Sequence, residues 1–206
     1  GIPDYGHGPY WDMHYSLDPV PYEWLEEYRE LQAVIHEATA GDHATNILHV
    51  GCGNSLLPER MHDEGYQRIT NIDTSQVVIG QMASRNRERR PALDWAVMDA
   101  LHTQFADGVF DLGIEKSVLD TIACAQNATK LMASYLQEMA RVIKPDGVFL
   151  CISLGDPELM LTVFRSSGVV RAVDVREILS VHPTTAPNYA YLLTMWPLPS
   201  SPRRFA

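Results

Sequence analysis

Apolar residues along the chain fall into short continuous runs separated by longer stretches with helical spacing. The continuous runs predict buried strands over 47–50, 68–72, 93–98, 110–114 and 148–153. The helical spacing predicts helices over 23–38, from 56 to about 65, from 75 to an arginine cluster ending at 90, over 131–143 and over 157–165. Strands that alternate with helices in this way predict a parallel, doubly wound sheet.

The pattern changes after residue 165. Two β-rich runs, 169–178 and 189–196, follow one another without a helix between them. Two strands without a crossover helix must pair antiparallel. The sequence therefore predicts an α/β, Rossmann-like three-layer sandwich with a mostly parallel seven-stranded sheet and a C-terminal antiparallel hairpin. With no internal repeat or interdomain linker, we expect one domain over 1–206.

The N-terminal segment, 1–24, is dense in aromatic rings, namely Tyr5, Tyr10, Trp11, Tyr15, Tyr22 and Trp24. Prolines at 3, 9, 19 and 21 interrupt it before a long helix can form. We expect an arm whose rings fill a groove on the domain, or a lid whose rings meet a ligand cation through cation–π attraction. The two interpretations are compatible.

Composition limits the classes of function. The formal charge of −10 argues against a general nucleic-acid surface, which needs a basic footprint. No apolar run approaches the roughly 20 residues of a membrane span, so no membrane partner is expected. Three cysteines without a CxxC spacing make zinc or disulfide scaffolds unexpected and favour a reducing cytoplasm. No His, Asp and Cys cluster suggests a metal.

A glycine turn, Gly51-Cys52-Gly53, follows the first strand and precedes a helix that Ser55 can cap. The two glycines permit close backbone approach to a ligand. Dinucleotide sites usually have a third glycine, where this chain has Leu56, so a ligand without pyrophosphate is favoured.

Two further acidic positions lie at strand ends. Asp73 ends the second strand, where it can accept bonds from two ribose hydroxyls, or else cap a helix. Asp99 and Ala100 follow the third strand, where they can read an adenine ring, although a solvated loop aspartate is the alternative. A nucleoside ligand with an amino-acid end, together with the terminal hairpin, indicates S-adenosylmethionine and a methyltransferase.

Several motifs together resemble one family. They are YWDxxY at 10–15, YEW at 22–24, LxxGCGNS at 48–55, NIDxSxVVI at 71–79, MD at 98–99 and FDxxIEKxxLD at 110–120. This combination resembles the seven-stranded, S-adenosylmethionine-dependent family of methyltransferase-like protein 13 and elongation factor 1-alpha lysine methyltransferase 4. The resemblance extends from the aromatic arm to about Ile152.

The resemblance implies a set of cofactor contacts: Trp11, Tyr15 and Trp24 enclosing the cofactor, with Gly51, Asp73, Thr74, Asp99, Ala100 and Lys116 around it. Gly53 joins this set from the glycine turn. Lys116 has an alternative role, pairing with Glu115 or Asp120. Three departures stand out: His14 replaces an arginine, Ser117 replaces a glycine, and the segment after the fifth strand matches poorly.

The predicted function is therefore S-adenosylmethionine-dependent methyl transfer, most simply to a protein lysine of the elongation factor 1-alpha type, with S-adenosylhomocysteine as product and no metal. A small-molecule acceptor and a catalytically inactive, S-adenosylmethionine-binding regulatory domain are the alternatives, and an NAD-dependent oxidoreductase is more distant. Glu115 or Asp120 could help an acceptor lysine to lose its proton, or either could fix the loop. His49, within a buried strand, is expected to be a core histidine.

Overall fold

The computed structural model describes residues 8–179 and 186–196; Pro3 and Tyr5 of the predicted arm, and both ends of the predicted 1–206 domain, lie outside them. One seven-stranded sheet organises the chain. Its strands are β1 Ile47–Val50, β2 Ile69–Asp73, β3 Leu93–Val97, β4 Phe110–Lys116, β5 Ile143–Ser153, β6 Val170–Ile178 and β7 Asn188–Met195.

The spatial order of the strands is β3-β2-β1-β4-β5-β7-β6. The first five strands pair parallel, and β7 pairs antiparallel with both β5 and β6. The predicted α/β fold, with its mostly parallel sheet and C-terminal hairpin, is confirmed.

Seven helices pack around this sheet in the described ranges: α1 Gly8–Leu17, α2 Tyr28–Ala38, α3 Leu57–Glu64, α4 Gln76–Asn86, α5 Val118–Ala123, α6 Ala128–Val142 and α7 Pro157–Ser166. Apolar residues of α6 and α7 form one core with one face of the sheet, and those of α2 and α3 form a second core with the opposite face. A smaller cluster joins α1 to α4. The helices therefore cover both faces, as the doubly wound pattern requires.

The predicted helix over 23–38 is wrong in its first five residues, because α2 begins only at Tyr28. Leu25 has a positive φ of 63°, and the Glu26 N–H donates to the Trp24 carbonyl at 2.8 Å. This backbone is a tight turn that no helix accommodates. The side chain of Glu23 is engaged far along the sequence, and that contact overrides the local helical pattern.

Two other details differ from the sequence pattern. A helix, α1, forms inside the proline-rich arm, because Pro9 occupies its first turn and the next proline, Pro19, lies beyond its end. The predicted turn at 144–147 lies inside β5, where Ile143 already pairs with Phe110 and the register then shifts before Leu112. These four residues therefore form an irregularity within the strand.

Strand register brings the predicted site residues to one edge. Val50, the last residue of β1, pairs with Ile72 of β2 on one side and with Glu115 of β4 on the other. The residues that follow, Gly51, Asp73 and Lys116, are therefore neighbours at the carboxyl edge, where open α/β sheets bind ligands. Within the described part of the chain, no helix is long and apolar enough to cross a lipid bilayer.

Candidate functional site

The glycine turn after β1 has a backbone that only glycine adopts without strain. Gly51 and Gly53 have φ values of +58° and +49°. A Cβ on Gly51 would overlap Val118 Cγ2, and one on Gly53 would lie 2.6 Å from the Tyr15 hydroxyl. Close approach of neighbouring groups therefore requires both glycines.

Asp73 ties this turn to the end of β2. Its Oδ2 accepts the Gly53 N–H at 2.9 Å, and its Oδ1 accepts the Ser75 N–H at 2.9 Å. Burial raises the pKa of Asp73, against the lowering effect of these backbone donors. The side chain of Ser75, rather than that of Asp73, caps α4 by accepting the Val78 N–H at 3.2 Å. Each carboxylate oxygen retains acceptor capacity for a further donor.

Asp99 lies beside this aspartate but is exposed to solvent. The Met98 N–H donates to the Asp73 carbonyl at 2.9 Å, which brings the turn after β3 against the end of β2. Asp99 Oδ1 accepts the Leu101 N–H at 2.8 Å, so a local turn orients the carboxylate. Thr74 is exposed and Ala100 is half-buried at the same edge. The structure thus brings together all the residues predicted to surround the nucleoside.

Helix α1 lies across the glycine turn and the start of α4. Asp12 Oδ1 accepts the Ser75 hydroxyl at 2.6 Å and the Val77 N–H at 3.2 Å, contacts that lower the pKa of Asp12. Tyr15 is buried, its hydroxyl faces Gly53, and burial raises its pKa. The Trp11 ring stacks on Tyr15 with centroids 5.9 Å apart. Two of the three predicted arm rings therefore lie at the turn.

A second part of the arm is bound by the Asn54 side chain. Asn54 Oδ1 accepts the Tyr22 N–H at 3.2 Å, and its Nδ2 donates to the Val20 carbonyl at 2.7 Å. Asn54 is itself buried. The residue after the glycine turn therefore anchors the arm, a role that the motif alone did not indicate.

Lys116 is buried at the end of β4, and its partners come from the arm. Its Nζ forms an ion pair with Glu23 Oε2 and donates to the Glu26 carbonyl at 2.9 Å. Burial lowers the pKa of Lys116, against the raising effect of Glu23. The alternative in which Lys116 pairs with Glu115 or Asp120 is wrong.

Glu115, the first candidate base, is fully buried beneath the site. Its Oε2 accepts the Val118 N–H at 2.6 Å, which caps α5, and its Oε1 accepts the Cys151 thiol at 2.5 Å. Burial, reinforced by the charge of Asp120, raises the pKa of Glu115 to about 8. A fully enclosed carboxyl with a raised pKa is poorly suited to act as a base, and its bonds join the start of α5 to β5.

Asp120, the second candidate, is only partly buried. Its Oδ1 accepts the Ser153 hydroxyl at 2.5 Å, and its Oδ2 accepts the Ser117 hydroxyl at 3.2 Å and the Leu154 N–H at 3.3 Å. These contacts connect the loop after β4 to the end of β5. Of the two carboxylates, Asp120 is therefore the one within reach of a bound molecule.

His49 is a core histidine, as predicted. It is buried in β1, and its Nδ1–H donates to Asn71 Oδ1 at 3.0 Å. Burial lowers the pKa of His49 to about 4, so the ring is neutral. Among residues 8–179 and 186–196, no three His, Cys, Asp or Glu side chains are grouped so as to hold a metal ion.

Sequence reasoning missed the roles of Asp12, Glu23 and Asn54. All three bind backbone groups at the start of a helix or in the arm, at long sequence separation. The sequence could have pointed to them only through their neighbours, because each carboxylate is next to an aromatic residue of the arm and Asn54 follows the glycine turn. A motif marks such residues without indicating their partners.

A glycine turn bonded to an acidic strand end, at the carboxyl edge of a doubly wound sheet, defines a Rossmann-like domain for a nucleoside cofactor. The chain belongs to the methyltransferase domain family, which matches residues 48–151. The prediction of a methyltransferase is thus confirmed at the level of family and fold.

Curated relatives agree with the resemblance found in the motifs. Over an alignment of 211 positions, the chain is 32% identical to the mouse (Mus musculus) protein "eEF1A lysine and N-terminal methyltransferase"; the alignment covers 96% of this chain and 30% of that protein. It is 28% identical to mouse "EEF1A lysine methyltransferase 4", covering 77% of this chain and 65% of that protein. The chain thus spans about a third of the length of the first relative.

Solved structures share the fold at low identity. The [4+2]-cyclase SpnF superposes with a TM-score of 0.68 at 19% identity, covering 93% of this chain and 95% of that one. The N-methyltransferase NodS from Bradyrhizobium japonicum WM9, in complex with S-adenosylhomocysteine, has a TM-score of 0.64 at 19% identity, covering 87% and 91%. Because one of these is a cyclase, likeness of fold leaves the reaction to be argued from the site.

Proposed function

We propose that the chain transfers a methyl group from S-adenosylmethionine to a lysine amine of a protein substrate of the elongation factor 1-alpha type. The observation that carries the proposal is the bond between the Gly53 N–H and the Asp73 carboxylate. It fixes the glycine turn against an acidic strand end, beneath the aromatic helix α1. This geometry suits a nucleoside that bears an amino-acid group.

The residues present fit such a cofactor. Val118 and the Tyr15 hydroxyl pack against Gly51 and Gly53 and so fix the turn, and Asp73 retains acceptor capacity for two ribose hydroxyls. The same edge of the sheet continues through Thr74, Asp99 and Ala100, where an adenine ring would bind. Helix α1 covers this edge with Trp11 and Tyr15. Trp24 and Lys116, which the resemblance also assigns to the cofactor, have other contacts and are considered below.

The cofactor supplies the reactive methyl group, so the protein mainly aligns the two reactants. The chain would hold a neutral lysine nitrogen in line with the methyl group that the bound cofactor would supply, with S-adenosylhomocysteine as the leaving group. The lysine proton passes to water or to Asp120, which is the accessible carboxylate at this edge. The buried Glu115 holds the start of α5 in place.

Three features favour a protein acceptor in the cytoplasm. The relatives at about 30% identity carry names that specify lysine methylation of eEF1A. The net charge of −10 is complementary to a basic substrate segment. All three cysteines, Cys52, Cys124 and Cys151, are free thiols, as a reducing compartment allows.

The test incubates the purified chain with isotopically labelled S-adenosylmethionine and recombinant eEF1A. We expect label on eEF1A and a mass increase on a lysine peptide. The Asp73→Ala variant should strongly reduce the labelling, while Asp94→Ala, which changes an exposed aspartate of β3, should not. Label confined to small-molecule extracts would refute a protein acceptor and favour a metabolite methyltransferase. S-Adenosylhomocysteine binding without any transfer would indicate a regulatory domain.

A further inference from the structure

Residues 20–26, which run from the end of the arm toward α2 and which we call the clasp, turn their acidic and aromatic side chains in opposite directions. Glu23 and Glu26 point into the protein, and Glu26 is only 3% exposed. Tyr22 and Trp24 point outward and are 56% and 42% exposed. Their rings meet edge to face with centroids 5.0 Å apart. The charged residues are thus the anchors, and the large apolar residues are presented to solvent.

The Glu23 carboxylate joins three different groups. It accepts the Ser55 hydroxyl at 2.7 Å and the Leu56 N–H at 2.5 Å, at the start of α3, and it pairs with Lys116 at the end of β4. A carboxylate at a helix start is favoured by the free amides and the helix dipole. Since the Lys116 side chain is only 4% exposed, its charge requires this partner.

Glu26 extends the clasp to the C-terminal hairpin. Its Oε1 accepts Asn188 Nδ2 at 2.9 Å, at the first residue of β7, and its carbonyl accepts Lys116 Nζ at 2.9 Å. Lys116 therefore contacts both anchors. Through it the clasp connects the start of α3, the end of β4 and the start of β7, which lie at the carboxyl edge of the sheet.

The clasp also holds a strained backbone. Leu25 lies between the two anchors with φ +63°, in the left-handed region that a branched residue rarely adopts. The Glu26 N–H closes a three-residue turn on the Trp24 carbonyl at 2.8 Å. Such a conformation persists only where its surroundings impose it, and such sites are frequent at ligand clamps. Here the strain turns Trp24 outward while Glu26 stays inside.

We propose that Lys116 is a positioning residue rather than a cofactor ligand, and that it holds the clasp so that the Tyr22 and Trp24 rings contact the methyl acceptor. The ring contact rests on the proposed function, because it takes the acceptor to be a lysine side chain in a basic segment. Two exposed rings attract an ammonium group and pack against its aliphatic stem. The exposed Glu27, next in sequence to the clasp, adds the complementary charge.

The role of Lys116 is tested with Lys116→Met, Glu23→Gln and the double variant, with the exposed Lys130→Met as matched control. S-Adenosylhomocysteine affinity is measured by calorimetry, and clasp opening by the rate of limited chymotrypsin cleavage after Tyr22 or Trp24. We expect both single variants to keep the dissociation constant within about threefold and to speed cleavage about tenfold or more. The effect of the double variant should be smaller than the sum of the single effects, because Glu23 and Lys116 share their ion pair while each also has contacts of its own.

A cofactor ligand would behave differently. Lys116→Met would then raise the dissociation constant of S-adenosylhomocysteine tenfold or more, whereas Glu23→Gln, which frees the ammonium group, would leave it unchanged or lower it. That result, or additive effects in the double variant, overturns the positioning role. Lys116→Arg, which keeps the charge, should be cleaved nearly as slowly as the wild type. If Lys116 only filled space, the arginine and methionine variants would be cleaved at the same rate.

The ring contact is tested with Tyr22→Ala and Trp24→Ala, using Trp196→Ala as control because Trp196 is similarly exposed at the other end of β7. With eEF1A as acceptor, we expect KM to rise about tenfold, with kcat and S-adenosylhomocysteine affinity within about twofold. Trp24→Phe should restore most of the loss. An unchanged KM overturns the contact. If the wild-type chain does not methylate eEF1A, the ring contact fails together with the proposed acceptor, while the affinity and cleavage measurements still decide the role of Lys116.

Discussion

Replacing Asp73 by alanine should weaken cofactor binding more than any other single truncation at the sheet edge. The carboxylate is positioned to accept two ribose hydroxyls, and hydrogen bonds to a charged group contribute about 1.5 kcal/mol or more each. Loss of both therefore costs about 3 kcal/mol, which is roughly a 150-fold increase in the dissociation constant. The glycine turn also loses its tie through Gly53, so the true effect should not be smaller.

The assay is calorimetric titration of S-adenosylhomocysteine, accompanied by thermal unfolding of the protein without ligand. Unfolding separates the two roles of Asp73, because the buried Gly53 and Ser75 amides lose their acceptor and cost stability even when no cofactor is added. The exposed Asp94→Ala variant controls for loss of an acidic residue from the neighbouring strand. A dissociation constant for Asp73→Ala within threefold of the wild-type value would refute the assignment of this carboxylate to the ribose.

Three other predictions concern stability, pH and the lid. Ser117→Gly should raise the melting temperature by about 2–4 °C. The substitution relieves the strain of the left-handed φ of 67°, about 1–2 kcal/mol, which exceeds the stabilisation from the weak 3.2 Å hydrogen bond to Asp120. A lower melting temperature would contradict this. Glu115 has a pKa of about 8 instead of an ordinary 4.5, so the folded state binds a proton more tightly than the unfolded one. Its contribution to the free energy of unfolding, at most about 5 kcal/mol, is complete below pH 4.5 and is lost as the pH rises through 8. In denaturant unfolding, Glu115→Gln should accordingly lose much less unfolding free energy between pH 6 and 9 than the wild type does. A pH profile identical to that of the wild type would contradict this explanation. Trp11→Ala should raise the dissociation constant of S-adenosylhomocysteine about tenfold while lowering the melting temperature only slightly, as measured by the same titration and thermal unfolding. A large drop in melting temperature with an unchanged dissociation constant would indicate that the ring serves only in packing.

The order of strands and helices was predictable because it depends on local periodicity. Continuous apolar runs marked the strands buried on both faces, and the absence of a helix between the last two runs required the antiparallel hairpin. The start of α2 was not predictable in the same way. Trp24 and Leu25 have helical spacing with Tyr28, yet Glu23 finds its partner at Leu56, 33 residues away. A contact of that separation leaves no trace in a local pattern.

The same difference between local and long-range contacts determines which features of the candidate site were predictable. That Ser117 occupies a position suited to glycine was readable from the motif, because φ depends on the local backbone, and the structure places it at +67°. Which of Glu115 and Asp120 can reach an acceptor was not readable. The two acids lie five residues apart, one at the end of β4 and one in α5, and the elements that surround them come from distant parts of the sequence. The β5 residue Cys151 and the start of α5 enclose Glu115, whereas Ser153 at the end of β5 holds Asp120 at the rim. Motifs therefore locate the edge where chemistry occurs, but burial by elements remote in sequence decides which carboxylate can act there.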